Sequence, residues 1–166
     1  MIKFEKVSFE QFYKDMMNSC CYFTDKEIQD IYNNIKLPKR ATKCSAGYDF
    51  YAPFDITISE GASDKIPTGI RCQMDEDVVL LLVPRSSLGF KYRLALDNTL
   101  GVIDADYYDA KNEGHIQCKM HTPNYMIKIK EGEAYMQGIF VRYLKTDDDN
   151  TTEVRSGGIG STNKKE

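Results

Sequence analysis

Pro84, Arg85, Ser86, Ser87, Leu88 and Gly89 leave an apolar run and enter a turn or helix start. A guanidinium, two hydroxyls and backbone N–H groups not yet taken up by helical bonds converge there, a geometry that suits phosphate. A plain capped turn would read the same way. Asp104 and Asp106 stand two apart in the run Gly101, Val102, Ile103, Asp104, Ala105, Asp106, Tyr107. In a strand their side chains would face the same way, and in a turn they could diverge. A carboxylate on a rigid hairpin can take a proton from water, and an ordinary acidic turn is the bland alternative. From Arg155 the tail runs through Ser156, Gly157, Gly158, Ile159, Gly160, Ser161 and Thr162. It combines a cation, unobstructed backbone amides and hydroxyls, which is also the composition of a flexible linker.

Two kinds of element must hold these residues. Over residues 8–34, Phe9, Phe12, Tyr13, Met16 and Met17 share one helical face, and Ile28, Ile31, Tyr32 and Ile35 share another. Ser8 with Gln11, and Thr24 with Glu27, read as capping boxes that open two short helices packed on the domain beneath. Beyond Leu37 the texture changes to short alternating or apolar segments cut by glycine, proline and aspartate, including residues 55–58, 66–74, 78–83 and 126–130. That rhythm predicts an all-β domain, a sandwich or barrel rather than a parallel α/β sheet. At 166 residues and 42% hydrophobic composition, a single domain over 1–166 is expected, with residues 155–166 as a flexible arm.

Composition also excludes. Five cysteines, two of them the adjacent Cys20 and Cys21, argue against a disulfide framework and for a reducing cytoplasm. His115 and His121 are the only histidines, and no CxxC or HExxH spacing marks a zinc site. The longest apolar run, residues 78–83, falls far short of the ~20 residues of a membrane span, and the N-terminus lacks an apolar signal segment. A net charge of −3 leaves no basic stripe for nucleic acid. The expectation is therefore a cytoplasmic protein that binds neither nucleic acid nor membrane.

Two further strings complete an ordered set. Ala46, Gly47, Tyr48, Asp49, Phe50, Tyr51 and Ala52 follow the segment 37–45, and Gly132, Glu133, Ala134, Tyr135, Met136 and Gln137 precede an apolar strand. With these, five motifs in register from Leu37 to Thr162, about three quarters of the chain, resemble the homotrimeric dUTP pyrophosphatase family. The resemblance implies an all-β, distorted jelly-roll barrel in homotrimers whose active sites are shared between subunits. It implies hydrolysis of dUTP to dUMP and pyrophosphate, which keeps uracil out of DNA and supplies dUMP, with Mg²⁺ as cofactor. Asp104 would be the general base for water attacking the α-phosphorus, Gln137 would orient phosphates and water, and Arg85, Ser86 and Ser87 would bind phosphates. Asp49 would meet a magnesium-bound water or buttress Arg85, the ion being held by phosphate oxygens and waters rather than directly by protein. Asn98, Gly101, Val102 and Ile103 belong to the hairpin that reads uracil, and Tyr107 would pack on the deoxyribose and exclude a 2′-hydroxyl. Arg155, Ile159, Gly160, Ser161 and Thr162 would close over the substrate.

The chain departs from the family pattern in places. Ile159 stands where a phenylalanine usually stacks on uracil, which predicts weaker affinity, and Arg155 lies one residue closer to it than in the commonest pattern. After Tyr107 the stretch 108–114 replaces a short basic–glycine turn, so the outer turn of the hairpin must be reshaped. Residues 8–34 are extra, an insertion expected to lie outside the active site and able to offer a surface to a protein partner. Competing readings are a dCTP deaminase, which needs a glutamate in place of this aspartate arrangement, and a nucleotide-responsive regulatory protein using the pocket and the insert.

Overall fold

The computed structural model describes residues 1–19, 22–153, 155 and 157. In chain order it contains β1 (Lys3–Lys6), α1 (Phe9–Ser19), α2 (Asp25–Asn34), β2 (Lys39–Arg40), β3 (Tyr48–Tyr51), β4 (Ile56–Ile58), β5 (Ser63–Pro67), β6 (Ile70–Gln73) and β7 (Val78–Pro84). There follow α3 (Ser86–Tyr92), β8 (Ala95–Leu96), β9 (Gly101–Ile103), a 3₁₀ turn (Ala105–Asp109), β10 (Gln117–His121), β11 (Ile127–Ile129) and β12 (Ala134–Arg142). The fold is mainly antiparallel β, as the segment rhythm predicts, and its architecture is jelly-roll-like. A five-stranded sheet runs β2-β3-β12-β7-β9, a three-stranded one β5-β10-β8, and β1 pairs with β6 and β11 with β4. The apolar run of β7 forms a central strand because both its faces are covered: Val78, Leu80 and Leu82 are buried, while Leu81 and Val83 are half-buried on the other face.

Both expected helices form, and one apolar cluster joins their faces, through Phe12, Met16, Ile28, Ile31 and Ile35, to Phe50, Leu80, Ile116 and Tyr135 of the β framework. Thr24 and Glu27 make the full reciprocal capping box. The box at Ser8 is only half made. Ser8 Oγ accepts the Gln11 N–H at 3.1 Å, but the Gln11 side chain donates instead to Asp15, and the Ser8 N–H goes to Glu113 Oε2 at 2.7 Å. Glu113, 105 residues away, replaces the local partner. The apolar stripe is also narrower than its spacing suggests, since Met17 is exposed and a carboxylate, Asp15, is buried in the face beside Met16.

After Tyr107 the chain follows a turn of its own shape. The 3₁₀ turn leads into a tight turn in which Glu113 (φ 57°) and Gly114 (φ 65°) are both left-handed. A Cβ on Gly114 would lie 2.6 Å from the Tyr107 carbonyl oxygen, so only glycine lets the return strand pass this close. No helix among the described residues is long and apolar enough to cross a membrane. Cys44, Cys72 and Cys118 are unpaired, and burial pushes the Cys72 and Cys118 thiols up to about 12, so both are neutral.

Candidate active site

The candidate residues fall into two groups. The first surrounds a cavity of about 630 Å³ beside β9, where Asn98, Gly101, Val102, Ile103, Asp104, Tyr107 and Arg155 meet. Tyr107 is 6% exposed, its hydroxyl donating to the His115 carbonyl at 2.9 Å and accepting from Asn112 Nδ2 at 2.7 Å. Burial pushes its phenol up, against the hydrogen bond from Asn112. The ring is thus a fully satisfied core tyrosine and a wall of the cavity at once. Asp104 and Asp106 converge on one cation: Arg155 Nε donates to Asp106 Oδ1 at 2.9 Å, Nη2 pairs with Asp104 Oδ2, and the guanidinium lies 5.6 Å from the Tyr107 ring centre.

The cavity has further walls that no motif marked: Lys65, Leu82, Leu96, Asp97, Gln117 and Lys119. Asp97 precedes Asn98 and is held by His121 Nδ1 at 2.8 Å and Lys119 Nζ at 3.2 Å. Desolvation raises its pKa, but the bonds from His121, Lys119 and Ser63 outweigh it and the net shift is downward. The carboxylate therefore stays charged and fixes the start of the hairpin. Gln117 Oε1 is buried without a protein partner among the described residues. A lone glutamine in a strand gives no sequence signal; only its place beside the hairpin singles it out.

The second group sits where β3, β12 and β7 run side by side. Gln137 lies opposite Asp49 on β3 and Val83 on β7. Its amide donates to Asp49 Oδ1 at 2.9 Å, while Arg85 Nη1 stands 3.7 Å from Asp49 Oδ2. Asp49 is 5% exposed. Arg85 caps α3, and Ser86 and Ser87 occupy its exposed first turn, ahead of the first helical bonds to the Arg85 carbonyl. A cation, two hydroxyls, helix-start amides and an orienting amide form a cradle for an anion. Asp49 thus stands between the Gln137 amide and the Arg85 guanidinium.

Within one chain Asp104 lies well away from Arg85. Leu82 pairs with Gly101 and Leu80 with Ile103, a register that carries Asp104 to the level of Val79, six residues short of Arg85. At ~3.3 Å per residue the separation is about 20 Å. Ile159, Gly160, Ser161 and Thr162 lie outside the described residues. No group of three or more potential metal-ligating His, Cys, Asp or Glu side chains occurs among the described residues.

Comparison with known proteins identifies the family and the fold. The sequence model of the family described as dUTPase matches residues 33–163. The deoxyuridine 5′-triphosphate nucleotidohydrolase of Lactococcus lactis is 40% identical over 142 residues, covering 82% of this chain and 95% of that protein. The protein of the same name from Tolumonas auensis is 33% identical, covering 80% and 90%. Among solved structures, a dUTPase from Streptococcus mutans superposes with a TM-score of 0.64 at 35% identity, covering 87% of this chain and 98% of that one. A dUTPase from phage phi11 of S. aureus, described with a structural Mg(II) ion, has a TM-score of 0.64 over 92% and 97% at 17% identity, a likeness of fold.

Proposed function

This chain belongs to the dUTPase family, and from that premise we propose how it hydrolyses dUTP to dUMP and pyrophosphate. The nucleoside enters the cavity beside β9, where Asn98 and the backbone of Gly101, Val102 and Ile103 meet the uracil edge. Cytosine, once it covers those polar groups, would leave them mispaired, which costs a site built on hydrogen bonds up to ~10⁴–10⁵ in discrimination. Tyr107 lies against the deoxyribose and leaves no room for a 2′-hydroxyl. Asp104 takes a proton from the water that attacks the α-phosphorus; the new bond forms from that water to phosphorus, and the bond to the bridging oxygen of the departing pyrophosphate breaks. General-base catalysis of this kind supplies ~10²–10⁴-fold. The rest comes from charge neutralisation and alignment by Arg85, Ser86, Ser87 and Gln137, with Arg155 and the arm beyond it over the phosphates.

The observation that carries this reading is the separation of about 20 Å between Asp104 and Arg85, set by ~3.3 Å per strand residue. A nucleotide with its α-phosphorus at Asp104 cannot also reach Arg85 of the same chain, whereas a homotrimer lets the Ser86–Gln137 cradle of one subunit face the Asp104 hairpin of another. The donor set fits Mg²⁺ carried in on the triphosphate. Phosphate oxygens and waters would hold the ion while Asp49 keeps Arg85 and Gln137 in place beside them, and the ion would supply neutralisation of phosphate charge. The unpaired, neutral Cys72 and Cys118 suit a reducing cytoplasm.

Pyrophosphate release from dUTP, dCTP, dTTP and UTP with Mg²⁺ tests the reaction, and release confined to dUTP is expected. Mixing Asp104→Asn and Ser86→Ala chains, each inactive, tests the sharing of sites. Mixed trimers regain activity if each site draws these residues from two subunits, and stay inactive if both come from one chain.

A further inference from the structure

Two stretches that depart from the family pattern, the helical insert and the reshaped turn after Tyr107, are built against each other. Ser8, at the head of α1, gives its N–H and hydroxyl to the two oxygens of Glu113, at 2.7 and 2.6 Å. Two turns further on, Asp15 Oδ2 lies 2.6 Å from His115 Nδ1 and accepts from Gln11 Nε2 at 2.7 Å. His115 is fully buried, with the Phe12 ring of the same helix 6.1 Å away. The Gly69 N–H donates to His115 Nε2 at 2.8 Å. That nitrogen therefore carries no proton, the single ring proton sits on Nδ1, and it is donated to Asp15.

The imidazole is thus clamped on both nitrogens, and with it the backbone of residue 115. The carbonyl of His115 receives the Tyr107 hydroxyl at 2.9 Å. Two residues on, Gln117 lines the cavity, and its side-chain amide also lowers the pKa of Asp15. A buried carboxylate–imidazole pair adds little net stability over an apolar filling of the same volume. What it does supply is a single position for the ring and for the carbonyl behind Tyr107.

We propose that Asp15, carried by the N-terminal insert, is a positioning residue for sugar recognition: through His115 it sets how far the Tyr107 ring reaches into the nucleoside cavity. The inference rests on the assignment of that cavity to dUTP. Relaxing the clamp lets Tyr107 recede, which loosens the fit to deoxyribose and opens room for a 2′-hydroxyl.

The test compares kcat/KM for dUTP and for UTP in the wild type, Asp15→Asn, Asp15→Ala and Tyr107→Phe. The ratio of the two constants does not depend on how much enzyme is folded, so stability loss alone does not move it. Asp15→Ala is expected to lower the dUTP-to-UTP ratio about tenfold, mainly by raising KM for dUTP. Asp15→Asn, which keeps an acceptor for His115, should recover most of the ratio. Tyr107→Phe, which keeps the ring and removes its tie to His115, should lower the ratio without adding to Asp15→Ala in the double variant. An unchanged ratio in Asp15→Ala, or in Tyr107→Phe should Asp15→Ala not fold, overturns the proposal, as does full additivity. If the wild type releases no pyrophosphate from dUTP, the assignment of the reaction fails instead.

Discussion

Replacing Arg155 by alanine should move two ligands in opposite directions. In the free chain its guanidinium bonds Asp106 at 2.9 Å, pairs with Asp104 and lies over the Tyr107 ring, so it occupies space that a nucleoside must reach. Asp104 and Asp106 are 48% and 50% exposed, and solvent screening holds each pair to roughly 0.5–1 kcal/mol. Displacing the arginine then costs about 1–2 kcal/mol, a factor of roughly 5–30 in affinity. Uncharged deoxyuridine competes with the guanidinium and gains nothing from it, so Arg155→Ala should bind deoxyuridine tighter by up to that factor. A non-hydrolysable dUTP analogue carries phosphates that the same group is proposed to hold, with charge-assisted bonds worth ~1.5–3 kcal/mol, and should bind about tenfold weaker or worse. Titrating both ligands by calorimetry at low and high salt gives the answer, and the gain for deoxyuridine should shrink as salt screens the pairs. Unchanged or weaker deoxyuridine binding would refute the idea that the arginine sits on the pocket.

Asp104→Asn should retain binding of the dUTP analogue while pyrophosphate release falls by ~10²–10⁴; a loss of binding in step with turnover would remove it as the base. Asp49→Ala strands the Gln137 amide and the Arg85 guanidinium beside a buried position, so thermal unfolding should show a loss of about 1–3 kcal/mol together with a raised KM. Gly114→Ala combines a positive φ with a 2.6 Å approach to the Tyr107 carbonyl, and its melting temperature should fall along with affinity for deoxyuridine. Acid stability should depend on Asp15 and Glu113. Burial raises the pKa of each, but hydrogen bonds, chiefly from His115 to Asp15 and from Ser8 to Glu113, bring both below the ordinary values of 3.8 and 4.5. Their contribution is complete above those values and is lost as pH falls through the lower folded ones. A melting-temperature profile should therefore drop below about pH 4 in the wild type and be shallower there in Asp15→Asn; parallel profiles would count against the coupling.

The parts of this site that a sequence can show are those where neighbours in the chain act together. Arg85, Ser86 and Ser87 are contiguous, as are residues 101–107, and the structure gives them a helix start and a cavity wall. The apolar run of β7 and both helices were legible for the same reason. Contacts across the chain were not. Nothing local says that Glu113, rather than Gln11, completes the cap at Ser8. One signal was available at Asp15: a carboxylate set between Phe12 and Met16 on the apolar stripe is costly to bury alone and so calls for a distant partner. The pairing of Asp104 with Arg155 also escaped, because the tail's composition carries no register to align it with the hairpin.

The clamp between α1 and the turn after Tyr107 also sets an order of events during synthesis. Asp15 and His115 are 100 residues apart, and chains grow at roughly 5–20 residues per second. For about 5–20 s, then, the two helices exist without the segment that seats them, with Phe12, Met16 and Ile28 bared and Asp15 still in water. Helices of 11 and 10 residues are marginal on their own, so this end of the protein, though made first, must be among the last to acquire its final shape.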